Sequence, residues 1–471
     1  MGNESHTQEN GAGTASNSRR HVLKAMGASG AVALAGCAGE GNGNGTNGNG
    51  NGNGNGDADT APMGNYPIDG DTATYGFHGP LSGELAPDGV EQERGFELAI
   101  EHLNNGEGWA DELDALSGDG VLGYEIDYVT GDSAGDEETS IDNIERMIDR
   151  DGIQFWTGGV SSGVCQALQP IAQREHVPFL SSISQDNEIT GENCHRYHFR
   201  PSIGAELTAR GLAEVLPDLL GENREYYQIY LDYSYGISNR ESMESYMDDY
   251  GWEELGASPL PLGELDHSTA IADLDDSGAD VLIFTTFGEA MANGLNQLDD
   301  AGLLDDIDIV IPLISAFSME PAGGNAEGVY GATNWHANAS DELDGQAAEL
   351  SDMFVEDYQD EYGEMPGQAA IEAYDNVMVY SSVVESVGTF HPQTVVEELE
   401  GFSWDHGIGA MEFRECDHQA QRPVYVCEGL SEAEQEETGL FLDLLEIVPG
   451  EDAIYDCDHF PASECDMPGY Q

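Results

Sequence analysis

Lysine is almost absent from this chain: Lys24 is the only one among 471 residues. Arginine does little to compensate, since Lys and Arg together number 14 against 91 Asp and Glu, for a formal net charge of -77. That balance excludes nucleic acid as a partner, because neutralising phosphates needs clustered Lys and Arg. A charge so large also strains a compact state by self-repulsion in dilute buffer. At molar salt the Debye length falls to about 3 Å and the repulsion is screened, so the acidity reads as adaptation to a hypersaline medium. Long apolar runs are missing as well. Nothing after the first 40 residues is apolar for long enough to cross a bilayer, and the expectation is a soluble body with no second anchor. No CxxC or His-rich spacing is present, so no metal site and no cofactor are expected.

What is present begins with a processing signal. Arg19 and Arg20 precede a small-residue apolar run from Ala25 to Ala35, the layout of a twin-arginine export signal. Leu34-Ala35-Gly36-Cys37 closes it and resembles a lipobox, which makes Cys37 the expected lipid attachment site. Residues 41–56 are nearly pure Asn and Gly, a composition that cannot bury apolar surface and behaves as a flexible tether. The mature body is thus expected outside the cytoplasm, on the outer face of the cell membrane.

Six further cysteines, at 165, 194, 416, 427, 457 and 465, allow 15 pairings in an exported protein. Cys165 with Cys194 is the expected disulfide, both lying near loops at one end of adjacent strands. A hairpin of 409–414 with 423–427 sets Cys427 opposite a residue near Glu412, which leaves the pairing of the other four open.

Along the body, short apolar runs alternate with longer helical patterns. Strands are expected at 72–77, 124–130, 155–158 and 177–181, with helices over 90–104, 137–150 and 164–175 between them. A second series follows, with strands at 227–231, 281–285 and 309–313 and helices over 239–250 and 290–301. Repeated strand-helix-strand order predicts an α/β fold of two lobes, each with a mainly parallel sheet flanked by helices. The lobes are joined by crossover hinge strands, and a ligand cleft between them lies beyond the carboxyl ends of the strands.

The loops carry a resemblance. "YGFHGPLSGELAPDGVEQERGFELAIEHLN" resembles the first strand, loop and helix of type I periplasmic binding proteins, the branched-chain amino-acid receptor family. "FWTGGVSSGVCQALQPIAQREHVPFLSSISQDNEIT" is similar to that family's third strand and ligand loop, and "HFRPSIGAE" to its crossover. "IYLDYSYGISN" and "GAMEFRECDHQAQRPVYV" are similar to the second lobe's opening and the closing hairpin, so the likeness runs from about Thr72 to about Gly429. It implies a hinged clamp that delivers a small solute to the permease of an ABC importer. It implies a first lobe of 72–201 with 331–400 and a second of 202–330 with 401–450. Residues 1–36 form the signal, 37–71 the linker and 451–471 a Cys-containing tail.

The resemblance also assigns a pocket. Ser161 and Ser162 stand where a ligand carboxylate meets a helix start, whose free N–H groups and dipole support the role. Ile183 and Gln185 match positions that hold the ligand head group, Tyr235 matches a tyrosine that closes from the second lobe, and Phe287 lies near another aromatic. Asp88 matches a first-loop position that lines the side-chain pocket. The acid that pairs the ligand ammonium in amino-acid receptors is missing, because Leu313 and Ile314 stand in its neighbourhood. A buried ammonium needs an anion, so either Glu206, Asp232 or Glu320 replaces that acid, or the ligand is urea, a short amide or another small polar solute. No catalytic residues are assigned: Asp417-His418 lacks a third ligand and a nucleophile, and the GNG repeats follow no strand. A monomeric receptor for an importer is the reading, with a ligand-binding sensor for a signalling system as the other class.

Overall fold

The computed structural model describes residues 63–470. Arg19, Arg20, Cys37 and the Asn/Gly tether lie outside the described residues. The first sheet is built from β1 (Thr72–Gly79), β2 (Glu125–Asp132), β3 (Phe155–Gly158), β4 (Phe179–Ser181) and β5 (His198–Phe199), in the order β2-β1-β3-β4-β5. All its pairings are parallel. Both faces are covered, so β3 and β4 are buried at every residue and read as continuous apolar runs rather than alternating ones.

The second sheet contains β6 (Glu225–Leu231), β7 (Glu253–Leu260), β8 (Val281–Thr285), β9 (Asp308–Leu313) and β10 (Val329–Thr333). A small third sheet of β11 (Ser403–His406), β12 (Gly409–Phe413) and β13 (Ala420–Gln421) intervenes before β14 (Val424–Gly429) and β15 (Leu442–Val448) complete the second. The order there is β15-β14-β10-β9-β8-β6-β7, with the last two strands antiparallel at one edge. The expected pairing of 409–414 with 423–427 does not form: β12 pairs with β11 and β13, and β14 pairs with β10 and β15. Cys427 accordingly stands opposite Gly331 and Leu444.

Packing divides the chain between three apolar clusters. The first joins both faces of the first sheet with the helices Gly345–Tyr362, Gln368–Val387 and Pro392–Leu399, and also takes Trp404, Met411 and Phe413 from the third sheet. Two more cover the faces of the second sheet, one with the helices Ser268–Ser277 and Gly288–Ala301, the other with Ala205–Leu220. Residues 401–421 therefore pack with the first lobe, because the alternating inward side chains of β11 and β12 face its core, while β10 belongs to the second sheet. The tail packs on both lobes: Ala453, Tyr455 and Ala462 enter a second-lobe cluster, and Tyr470 lies against the first.

Helix Gln368–Val387 is buried at every residue from Gln368 to Val384 and lies against helix Ala86–Asn105. Close approach is possible because Gly95 sits at the contact, where a Cβ would lie 2.0 Å from the Ala370 carbonyl oxygen. Gly95→Ala is expected to force the helices apart and cost about 1–3 kcal/mol, read as a lowered denaturation midpoint. An unchanged midpoint would mean that the two helices slide freely.

The expected Cys165–Cys194 disulfide is not formed. Cys165 sits inside helix Ser162–Glu175 and turns into the core, its sulfur 3.7 Å from His198 Nε2. Cys194 lies on a loop that faces the tail and pairs with Cys465, while Cys416 pairs with Cys457. Cys165 and Cys427 are buried free thiols, and burial pushes the Cys165 thiol up to about 12.

Candidate functional site

Three chain segments cross between the lobes, after β5, after β10 and before β14. Between the lobes the segments that follow the strands meet in a small, partly open cavity of about 40 Å³. From the first lobe it is lined by Leu85, Asp88, Val160, Ile183 and Gln368. From the second come Tyr233, Tyr235, Phe287, Leu313, Ser315 and Ser318. This is the carboxyl-end crevice that parallel α/β sheets provide. A roomier groove beside Trp252 and Glu254 lies on the second lobe alone and is open to solvent, so it offers nothing that lobe closure could trap.

Asp88 is the only ionisable acid in the lining. It sits in the first turn of helix Ala86–Asn105, where the helix dipole favours an anion, yet it is only 8% exposed. Burial pushes its carboxyl up to about 6, against hydrogen bonding from the Ser315 hydroxyl across the cleft. One turn on, burial and the charge of Asp88 push Glu91 up to about 8, although it accepts the Gly367 N–H. Both folded values lie above the unfolded ones, so the folded state holds these protons more tightly than the unfolded state does. The sign follows: stability is highest below the unfolded values and falls as pH rises from about 4 to about 8. At about 1.4 kcal/mol per unit the loss is on the order of a few kcal/mol. Thermal melts from pH 4.5 to 8 at fixed salt are expected to show it, and Asp88→Asn with Glu91→Gln to flatten it. An unchanged slope in the double variant would assign it to other carboxylates.

The structure brings Asp88, Ile183, Tyr235 and Phe287 together and places the other expected residues elsewhere. Ser161 is the N-cap of helix Ser162–Glu175, but its side chain makes no capping bond and it stands beside the lining residue Val160. Ser162 Oγ accepts the Asp186 N–H at 3.4 Å. Gln185 is spent between the lobes: its amide donates to Thr208 Oγ1 at 2.9 Å and its oxygen accepts from Asn239 at 3.0 Å. Glu206 is buried in the second lobe, where it accepts from Ser242 at 2.9 Å and Tyr246 at 2.6 Å and meets His459 of the tail. Asp232 and Glu320 are exposed and outside the lining. No acid is supplied at Leu313 and Ile314: Leu313 lines the cavity and the Ile314 carbonyl accepts from Gln368 at 3.0 Å.

Tyr233, Ser315, Ser318 and Gln368 are lining residues beyond the expected set. The first three follow β6 and β9, where the rule for parallel sheets directs attention. Gln368 links the cavity to the hinge, since its oxygen accepts from both the backbone and the side chain of Asn334 at 2.9 and 2.6 Å. Tyr235 Oη, in contrast, has no partner among the described residues.

Residues 72–434 match the family model described as Periplasmic binding protein. Leu/Ile/Val-binding protein homolog 7 of Brucella abortus is 25% identical over 346 residues, covering 70% of this chain and 82% of that protein. An amino-acid ABC transporter substrate-binding protein from Pseudomonas fluorescens Pf-5 superposes with a TM-score of 0.72 at 22% identity, over 81% of this chain and 96% of that one. A solute-binding protein of an ABC transporter from Rhodopseudomonas palustris BisB5, in complex with 3,4-dihydroxybenzoic acid, gives 0.69 at 17% identity, over 81% and 98%. The matched span covers both lobes and the cleft between them: the chain belongs to the periplasmic binding protein family, non-enzymatic solute-binding proteins, and is related to Leu/Ile/Val-binding proteins.

Proposed function

We propose that the protein captures a small organic solute outside the cell, of the Leu/Ile/Val class or a related small polar kind, and delivers it to a membrane permease. The observation that carries this reading is the shared cleft, with Asp88 and Ile183 on one side and Tyr235 and Phe287 on the other. A solute touching both lobes stabilises the shut state by whatever its contacts add to it. The missing second-lobe acid favours urea or a short amide as a second reading, because neither brings an ammonium that must be paired. Export by the twin-arginine route and a lipid on Cys37 tether the monomer near its permease at high effective concentration.

A thermal-shift screen in molar KCl tests the reading, since a ligand that binds only the folded form raises its Tm. At least one solute among leucine, isoleucine, valine, urea and acetamide is expected to raise Tm, and Tyr235→Ala to remove the shift. No response from a folded protein to these or any other small solute would sink it. The anchor is tested separately by Cys37→Ala, which is expected to release the protein into the medium. The acidic composition adds a salt test: Tm is expected to climb as KCl is raised from 0.2 to 2 M, and a flat profile would separate the acidity from salt adaptation.

A further inference from the structure

We propose that Asn338 is an N-glycosylation site, taking a sugar chain on its side-chain amide from a polyprenyl-phosphate-linked donor at the outer membrane face; this rests on the export reading above. Three Asn-X-Ser/Thr triplets occur in the chain, Asn3-Glu4-Ser5, Asn44-Gly45-Thr46 and Asn338-Ala339-Ser340. Such a triplet is the acceptor pattern for N-linked sugar in an exported protein and belongs on a surface loop. The first lies in the signal that processing removes, and the second in the tether, outside the described residues. A triplet also arises by chance, so its surroundings decide whether it can serve.

The surroundings of Asn338 suit an acceptor. Residues 331–337 are buried without a break as the chain leaves β10 through the second crossover, and Ala339 is fully buried. Asn338, between them, is exposed. The bend that turns it outward is held from beneath. Its own N–H donates to His336 Nδ1 at 3.1 Å, the Ala339 N–H donates to the His336 carbonyl at 2.9 Å, and His336 Nε2 meets the Leu442 carbonyl at 3.0 Å. Those bonds use the backbone and a buried ring, so the turn does not depend on the Asn338 side chain.

The two groups that the triplet requires are free. An asparagine at a helix start ordinarily accepts a backbone N–H with its side-chain oxygen. Asn338 precedes the single turn Ala339–Asp341, yet its side chain makes no such bond. Among the described residues neither the Asn338 amide nor the Ser340 hydroxyl has a hydrogen-bond partner, so an enzyme can engage both on the folded body. No residue of this turn lines the solute cavity, and a bulky chain here leaves the cleft unfilled. In the transfer, Asn338 Nδ2 forms a bond to the anomeric carbon of the sugar and gives up one proton. The bond from that carbon to the phosphate oxygen breaks, and the polyprenyl phosphate leaves with the electron pair. The tether holds the body at the membrane surface, where a lipid-borne donor resides.

The test is mass spectrometry of the peptide that contains Asn338, from the full-length protein purified out of the cells that naturally make it, with cell fractions assayed in parallel. The peptide is expected to be heavier by a whole number of sugar residues, with fragment spectra placing them on Asn338. Asn338→Gln and Ser340→Ala, made in the same cells, are expected to lose the added mass, and Ser340→Thr to keep it. All three variants are expected to give native circular dichroism, because neither side chain is bonded to the body. An unmodified Asn338 in protein recovered from the cell exterior would overturn the proposal and leave the export reading standing, as would sugar on Asn44 alone. Sugar retained in Ser340→Ala would overturn the triplet as the recognised acceptor. Recovery of the protein from the cytoplasm alone would overturn the export reading and the proposal together.

Discussion

Arg422→Ala is expected to destabilise the protein by about 3–5 kcal/mol, the cost of breaking a buried ion pair and leaving one charge behind. Arg422 has no exposed surface, and neither in practice does Glu372, the carboxylate it grips. The same guanidinium donates to the Pro201 carbonyl at 3.0 Å and to the Asn334 carbonyl. Pro201 lies on the first crossover, Asn334 on the second and Arg422 on the third, so one side chain fastens all three hinge segments to a helix of the first lobe. Asn334 extends the fastening, because its side-chain oxygen accepts the Ile203 N–H at 2.8 Å and its amide reaches Gln368 at the cavity wall. Lysine is no substitute: its three N–H donors radiate from one nitrogen, where the planar guanidinium spreads its donors in a fork that reaches Glu372, Pro201 and Asn334 together. Arg422→Lys is therefore expected to recover little of the loss. Arg422→Met with Glu372→Met is expected to recover much of it, since apolar replacement of both partners removes the uncompensated charge. Denaturant midpoints in molar KCl measure all three variants. An Arg422→Ala midpoint within 1 kcal/mol of the parent would mean that water enters and solvates Glu372, and that the hinge is held by the other bonds.

Some of the strands that could be read from sequence share a physical trait. β3, β8 and β9 are short, mostly apolar runs bounded by turn residues, and burial on both faces is what makes them continuous, whereas in β1 the apolar residues alternate as Ala73, Tyr75 and Phe77. β7 escaped because Gly256 and Pro259 interrupt it, which an edge strand tolerates since one side of its backbone has no partner. Helix Gln368–Val387 shows no apolar stripe, because it is buried all round and carries Glu372, Asp375 and Asn376 inward. In the site, Asp88, Ile183, Tyr235 and Phe287 came from the family resemblance of the segments that follow β1, β4, β6 and β8. Position alone does not say which loop residue turns inward, and so Gln185, equally well placed in sequence, is consumed by Thr208 and Asn239 instead. Gln368 is nearly 200 residues beyond Gln185 and reaches the cavity only through the fold. The disulfide choice failed for the same reason: Cys194 finds its partner at a sequence separation of 271, a closeness that no local pattern encodes.

Removing the two tail disulfides, by Cys194→Ser with Cys416→Ser, is expected to give the other large loss. The loops they close differ in length, with sequence separations of 271 for Cys194–Cys465 and 41 for Cys416–Cys457. Chain-entropy reasoning assigns about 4 kcal/mol to the shorter and above 5 to the longer, and measured removals fall within about 2–5 each. Neither figure counts packing, and the tail packs on both lobes. Arg196 donates to the Pro468 carbonyl at 2.6 Å and stacks over Tyr470, while Gln173 donates to the Gly469 carbonyl at 2.9 Å. Glu206 of the second lobe meets His459 at 3.1 Å. The tail is thus a strap fixed to the first lobe at Cys194 and Arg196 and to the second at Glu206, and the crosslinks keep its end from drifting away. Serine variants are expected to lower the denaturant midpoint together by more than either does alone, and a reductant to do the same to the parent. Thiol labelling gives a second readout: Cys165 and Cys427 are expected to react only after unfolding, because both are buried and burial pushes their thiols up. Peptide mapping that linked Cys165 to Cys194 would remove the strap, leaving the tail held by its packing and hydrogen bonds alone.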